Sequence, residues 1–203
     1  MAFTFFFRDI ETLDQIREHV LPKVRSHNPI KIWDAGCATG AEPYTIALIL
    51  KENMGPMVYR NVRIVASDID NSNLFGEMIR TGSYPREHLN SVPKEIFKNY
   101  FTPDENKPGN FVIAEEVRRH IEYRRHDLLT LKPVGDNFDV VVCKNVLLHF
   151  TEEERINVIK MYYNALRKGG YFITEYSQEL PDEVSDLFER IVPKMQLFRK
   201  VEQ

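Results

Sequence analysis

Three places in the chain carry residues whose types and spacing could do chemistry. The first is Asp34-Ala-Gly36-Cys-Ala-Thr-Gly40-Ala-Glu42-Pro-Tyr44, directly after the short run Lys31-Ile32-Trp33. Gly36 and Gly40 let a strand-to-helix turn bend tightly and bring backbone close to a ligand. Open α/β sheets bind ligands outside the carboxyl ends of their strands, which is where such a turn lies. The dinucleotide pattern G-x-G-x-x-G fails, because Ala38 and Ala41 stand where its later glycines belong. The second place is Asp68, at the end of the next apolar run. A carboxylate there can accept hydrogen bonds from both hydroxyls of a ribose. The plainer role for Asp68 is the N-cap of a helix over 71–80. Its position after a glycine turn favours the ribose. A glycine turn with an acidic second strand end and no third glycine suits S-adenosylmethionine better than a dinucleotide. The third place is Lys144-Asn145, polar residues closing the apolar run Phe138 to Cys143. These side chains are expected to face the same crevice, the plainer reading being a solvated strand end.

An alternation of strands and helices would place these residues at one edge. Ile10, Leu13, Ile16 and Val20 lie at helical spacing ahead of Pro22, predicting a helix over 9–21. Lys31 to Gly36 reads as a strand, 41–52 as a helix with Pro43 in its first turn, and Val62 to Ala66 as a buried strand. Gly82 is the expected stop of the helix over 71–80. The rhythm breaks over 83–111, which is rich in Pro, Asn, Asp and Lys apart from a helix near 93–100. Phe111 to Ile113 and Val117 to Arg125 read as strands of a small antiparallel sheet, so 83–125 is predicted as an insertion. Beyond it come the strand 138–143, a helix over 152–168 opened by Thr151 and closed by Gly169-Gly170, and a strand over 171–174. A helix over 182–191 and a strand near 196–202 finish the pattern. The expectation is a single domain over 1–203, α/β and Rossmann-like, with a doubly wound parallel sheet of seven strands.

Composition narrows the function. With 203 residues, 43% hydrophobic and 28% charged, the chain can fill one core and is not disordered. No stretch approaches the roughly 20 apolar residues of a membrane-spanning helix. The N-terminus is aromatic, without the basic region or cleavage site of a secretory signal, which points to the cytoplasm. Cys37 and Cys143 make no disulfide framework, and no metal cluster is spaced in the sequence. A net charge of −3 argues against nucleic acid. Arg118, Arg119, Arg124 and Arg125 are interleaved with Glu115, Glu116 and Glu122, so they form no basic stripe. They read as an exposed charged face or a dock for an acidic peptide.

Four segments together resemble the CheR chemotaxis-receptor methyltransferases. They are Thr4-Phe-Phe-Phe-Arg8-Asp9, Trp33-Asp-Ala-Gly-Cys-Ala-Thr-Gly-Ala-Glu-Pro-Tyr-Thr45, Ala66-Ser-Asp-Ile-Asp70 and Cys143-Lys-Asn-Val-Leu-Leu-His-Phe150. Gly82-Ser-Tyr84, Tyr100-Phe101 and Gly169-Gly-Tyr-Phe172 fall in the same order, so the resemblance covers nearly the whole chain. It implies transfer of a methyl group from S-adenosylmethionine to glutamate side chains in the cytoplasmic domain of a chemoreceptor, with S-adenosylhomocysteine as product. It further implies that Thr4 and Arg8 close over the cofactor. Glu42 would bind the methionine ammonium, Asp68 the ribose, and Asp127-Leu128 would flank the adenine. Lys144-Asn145 would line the reacting end. The strands near 111–125 would be the family's small β-subdomain. Four features differ from the family's usual pattern. Its N-terminal helical domain is expected to be lacking, seven residues preceding Arg8, and Ala2 stands where Asn is usual. Lys144 and His149 replace the usual Arg and Tyr.

A glutamate acceptor is ionised at neutral pH, with an ordinary pKa of about 4.3, so the transfer needs alignment rather than a general base. Arg8 is the first candidate for the cation that orients that carboxylate, Lys144 the second and His149 the third. Phe5, Phe6 and Phe7 read as an apolar anchor that can also serve as a lid. Two other functions stay open on the residues: methylation of a different protein or small acid, and a non-catalytic S-adenosylmethionine-binding module.

Overall fold

The most apolar segment is also the most enclosed. Every residue from Phe138 to Cys143 is buried, as a strand covered on both faces must be. In the computed structural model, which describes residues 4–175 and 179–202, this strand lies at the middle of a seven-stranded sheet. Numbered along the chain, the strands are β1 (Ile30–Ala35), β2 (Val62–Asp68), β3 (Ser83–Pro85), β4 (Phe101–Pro103), β5 (Asn110–Ile113), β6 (Ile121–Arg125), β7 (Phe138–Cys143), β8 (Leu166–Thr174), β9 (Phe188–Arg190) and β10 (Leu197–Lys200). The sheet order is β6-β2-β1-β7-β8-β10-β9. The first five in that order run parallel, and β10 lies antiparallel to both β8 and β9. Trp33 sits opposite Val65 on one side and Val141 on the other. From β1 the chain winds outward first to β2 and later to β7, so the switch point falls between β1 and β7. A crevice opens above their carboxyl ends, where Gly36 and Lys144 lie.

Alternation along the strands divides the core in two. Ile32, Ile64, Val140 and Val142 face one cluster with Leu13, Ile16, Ile46 and Leu50. Trp33, Val141 and Cys143 face the other with Val158, Tyr162 and Phe172. The helix Ala41–Asn53 buries Pro43 through Leu50 without a break. It belongs to the same cluster as the N-terminal helix and the small sheet, so it is covered on more than one side. Phe6 is fully buried, edge-on to Tyr84 at 5.0 Å and to Phe101 at 5.9 Å. It is the anchor expected of the aromatic run.

Several elements differ from the sequence pattern. The N-terminal helix continues through Pro22 to Val24 by way of a π-turn at Ile16–Val20. The missing N–H of Pro22 falls where the helical ladder has already shifted register. The small antiparallel sheet is real, in the order β3-β5-β4, but it ends at Ile113. Residues Glu115–Arg118 form a helical turn, and β6 is an edge strand of the main sheet, parallel to β2. Alternating polarity over 117–125 is shared by a strand of either sheet. The choice is made by contact with β2. The charged face is satisfied locally: Arg118 reaches Glu115 at 2.7 Å, Arg124 reaches Glu122 at 2.8 Å, and Arg125 bonds the Ile69 carbonyl at 3.0 Å.

Gly169-Gly170 does not stop the long helix, which ends at Ala165 and passes straight into β8. A Cβ on Gly170 would lie 3.0 Å from the Phe138 carbonyl oxygen, beside an irregular step in the β7–β8 register. Glycine in a strand commonly marks such a close backbone approach. The helix over 182–191 shrinks to Asp182–Ser185, because Phe188–Arg190 pairs with β10 instead. Thr151 opens its helix as expected, in a reciprocal capping box with Glu154. Thr151→Ala is expected to cost about 1 kcal/mol, a fall of about 2–4 °C in Tm for a chain of this size by calorimetry.

Candidate functional site

The glycine turn after β1 is pinned to the end of β2. The N–H groups of Gly36 and Cys37 both donate to the Ser67 carbonyl, at 2.7 and 3.0 Å. Gly36 and Gly40 each have φ 93°, in the left-handed region, and neither has room for a side chain. A Cβ on Gly36 would fall 2.2 Å from Val146, and one on Gly40 2.4 Å from Ile79. The turn leads into the helix Ala41–Asn53, which carries Glu42 in its first turn.

Asp68 ends β2 and faces the turn. Its Oδ2 accepts the Ala38 N–H at 3.0 Å and its Oδ1 the Asp70 N–H at 2.8 Å. Each oxygen keeps a second lone pair. The competing capping role belongs to Asp70, whose carboxylate accepts the N–H groups of Leu74 and Phe75 at 3.1 and 3.0 Å. The turn this creates moves the helix start from 71 to Phe75.

Lys144 is buried at the end of β7. Its Nζ lies 3.0 Å from Glu42 Oε2, 3.5 Å from the Arg8 carbonyl and 3.6 Å from Asp9 Oδ2. Asn145, with φ 59°, accepts from Arg8 through Oδ1 at 3.4 Å and donates its N–H to Glu175 Oε2 at 3.1 Å. Thr4, Arg8, Gly36, Ala38, Glu42, Asp68, Lys144, Asn145 and His149 all line one cavity of about 530 Å³. Residues more than 130 positions apart thus meet: Arg8 with Lys144 and Asn145. His149 is exposed at the end of a 3₁₀ turn on the rim. Gly40 shapes the turn from behind. Asp127 and Leu128 do not line the cavity. Asp127 caps a 3₁₀ turn through the Leu129 N–H at 2.9 Å, and Leu128 is buried in the cluster around Trp33. Ala2 lies outside the described residues.

Two further buried carboxylates belong to the same sheet edge. In the sequence Asp34 stands out only as the first residue of the glycine motif. It is fully buried, and no described residue donates a hydrogen bond to either of its oxygens. Burial, then the charge of neighbouring Glu42, raises its pKa well above the usual carboxylate range. Glu175 follows the last residue of β8 at the same sheet edge. Like Lys144-Asn145, it is a polar residue closing an apolar strand. Burial also raises the Cys37 and Cys143 thiols well above their ordinary value, so neither is a nucleophile at neutral pH.

The arrangement fits a ligand with a ribose and a cationic tail. Asp68 offers free lone pairs to hydroxyls at one end. Glu42, with Asp34 buried behind it and Lys144 at 3.0 Å, offers a carboxylate at the other. Because the folded state holds the Asp34 proton to higher pH than the unfolded chain does, the associated stability is lost as pH rises toward the folded pKa. Asp34→Asn removes that dependence. Its Tm relative to the parent is therefore expected to rise as pH is raised above the ordinary carboxylate range, and a difference that does not change with pH would contradict the burial argument.

Comparisons with known proteins point to one family. The model of the CheR methyltransferase SAM-binding domain matches residues 2–195. A chemotaxis protein methyltransferase of Borreliella burgdorferi is 31% identical over 185 residues, covering 87% of this chain and 64% of that protein. A probable chemotaxis protein methyltransferase of Rhizobium etli is 30% identical over 194 residues, covering 93% and 72%. The chain thus spans somewhat less than two thirds of the Borreliella protein. Among solved structures, the rRNA methyltransferase aviRa of Streptomyces viridochromogenes shares the fold at TM-score 0.57 and 14% identity, covering 98% of this chain and 85% of that one. A methyltransferase of Geobacter sulfurreducens does so at TM-score 0.53 and 12% identity, covering 93% and 80%. With its glycine turn, Asp68 and Lys144-Asn145 gathered at the switch point of a doubly wound sheet, the chain belongs to the CheR methyltransferase family and carries that family's S-adenosylmethionine-binding domain.

Proposed function

We propose that the protein is an S-adenosylmethionine-dependent O-methyltransferase that forms methyl esters on glutamate side chains of chemoreceptors, acting in the cytoplasm. The observation that carries this is the convergence of Arg8, Glu42, Asp68 and Asn145 on one cavity, in a chain whose relatives are named chemotaxis protein methyltransferases. Among the described residues no helix is long and apolar enough to cross a membrane.

When bound, S-adenosylmethionine supplies an electrophilic methyl group on a sulfonium. Asp68 holds the ribose through the lone pairs that its two backbone donors leave free. Glu42 receives the ammonium of the methionine tail, and Lys144 fixes the Glu42 side chain in place. Lys144 is spent on that task, with its side chain only 1% exposed, so the cation that orients the acceptor is Arg8. The guanidinium turns one carboxylate oxygen toward the methyl carbon. Too tight a pairing would quench the nucleophile, and Arg8 is already shared with Asp9 at 3.6 Å and Asn145 at 3.4 Å. The buried aromatic anchor at Phe6 holds the segment bearing Thr4 and Arg8 against the domain, where it excludes water.

Incubation with methyl-labelled S-adenosylmethionine and a receptor cytoplasmic domain should place label on glutamates as base-labile esters. Label found only on amines, or none at all, would refute the assignment.

A further inference from the structure

The 530 Å³ cavity adjoins a second one of about 500 Å³, with which it shares Arg8 and Asn145. The second is walled by Phe7–Thr12 and includes Asn145 and Glu175. Glu175 is only 4% exposed. Its Oε2 accepts the Asn145 N–H at 3.1 Å and the Thr174 hydroxyl at 2.7 Å. Its Oε1 is buried, and no described residue donates to it. A buried carboxylate oxygen left without a donor is costly, and native structures seldom keep one without a reason. Here that oxygen belongs to a residue lining a cavity beside the reacting end. The charges around it are unbalanced. Asp9, Glu11 and Glu175 line the cavity with one guanidinium, Arg8, 3.6 Å from Asp9, and the Lys144 ammonium, also 3.6 Å from Asp9, is held at 3.0 Å by Glu42. A second carboxylate entering beside the acceptor would be repelled, whereas an N–H donor would be drawn in.

We infer that this second cavity is the acceptor subsite and that Glu175 is its specificity-determining residue, accepting an N–H through Oε1 from a carboxamide or ammonium beside the acceptor carboxylate. The inference rests on the methyl-transfer reading for the identity of the group that Arg8 orients. The hydrogen bond to Glu175 involves no covalent step. Acceptors flanked by Gln or Lys are therefore preferred to acceptors flanked by Glu.

Calorimetry of the protein saturated with S-adenosylhomocysteine tests this. Three synthetic helical peptides would be titrated, each with one central Glu and with Gln, Lys or Glu one turn to either side. The parent protein is expected to bind the Gln and Lys peptides at least about tenfold more tightly than the Glu peptide, as one charge-assisted hydrogen bond allows. In Glu175→Gln that ratio should fall to within about twofold, because a carboxamide carries no charge. S-adenosylhomocysteine binding in the same cell reports whether the variant is folded. Equal affinity of the parent for all three peptides, no binding of any, or a ratio that survives the substitution would overturn the inference. Methyl transfer to the peptides is read separately. Discrimination without turnover would refute the methyl-transfer reading and leave the subsite standing, and turnover without discrimination would do the reverse.

Discussion

Asp68→Ala will weaken S-adenosylhomocysteine binding about 100-fold in a calorimetric titration. The substitution removes the carboxylate proposed above as the acceptor for two ribose hydroxyls. Hydrogen bonds to a charged group contribute about 1.5–3 kcal/mol each, and every 1.4 kcal/mol is about tenfold in affinity. It also releases the Ala38 and Asp70 N–H groups, which Asp68 now accepts. Ala38 and Asp70 are both buried, one in the turn after β1 and the other after β2, so losing the carboxylate they donate to also costs stability, and the apo variant is expected to fold with a lower Tm than the parent. Unchanged affinity would remove Asp68 from the site and with it the orientation of the bound nucleoside.

Lys144→Met is expected to be the most destabilising single change at the site. Lys144 is the buried cation beside Glu42 and, further off, Asp34 and Asp9. Breaking a buried ion pair by removing one partner costs about 3–5 kcal/mol, because the other charge is left uncompensated. At about 2–4 °C per kcal/mol for a chain of this length, a loss near 3 kcal/mol lowers Tm by about 6–12 °C. Lys144→Arg keeps the charge and should retain most of the stability. The double variant Lys144→Met, Glu42→Gln should lose less than the sum of the two single losses, the mark of direct coupling. Additive losses in thermal melts of the apo proteins would show that the 3.0 Å contact between Lys144 and Glu42 is not the pair that matters.

Much of the site was legible residue by residue. The glycine turn, Asp68 and Lys144-Asn145 each follow an apolar run, and the edge of a parallel sheet gathers such ends whatever the order of its strands. The N-terminal segment was legible only through resemblance. Nothing in the spacing of Thr4 and Arg8 says that they return to a strand end more than 130 residues later. Asp34 and Glu175 are inconspicuous in the sequence for a common reason: their importance comes from burial, which depends on neighbours distant in sequence. The cap role open to Asp68 falls to Asp70, two residues away, a choice invisible without the turn's geometry.

By itself the sequence determined the alternation of buried strands and helices, the tight turn at Gly36 and Gly40, and the acidic and amide residues at strand ends. Local periodicity and backbone sterics act over a few residues and need no knowledge of the rest of the chain. Only the tertiary structure decided that Ile121–Arg125 joins the main sheet, that Phe188–Arg190 is a strand and not a helix, and that Arg8, Glu42, Lys144 and Glu175 share one charged enclosure. Those outcomes depend on which distant surfaces exclude water from one another, and burial of that kind is a property of the assembled chain.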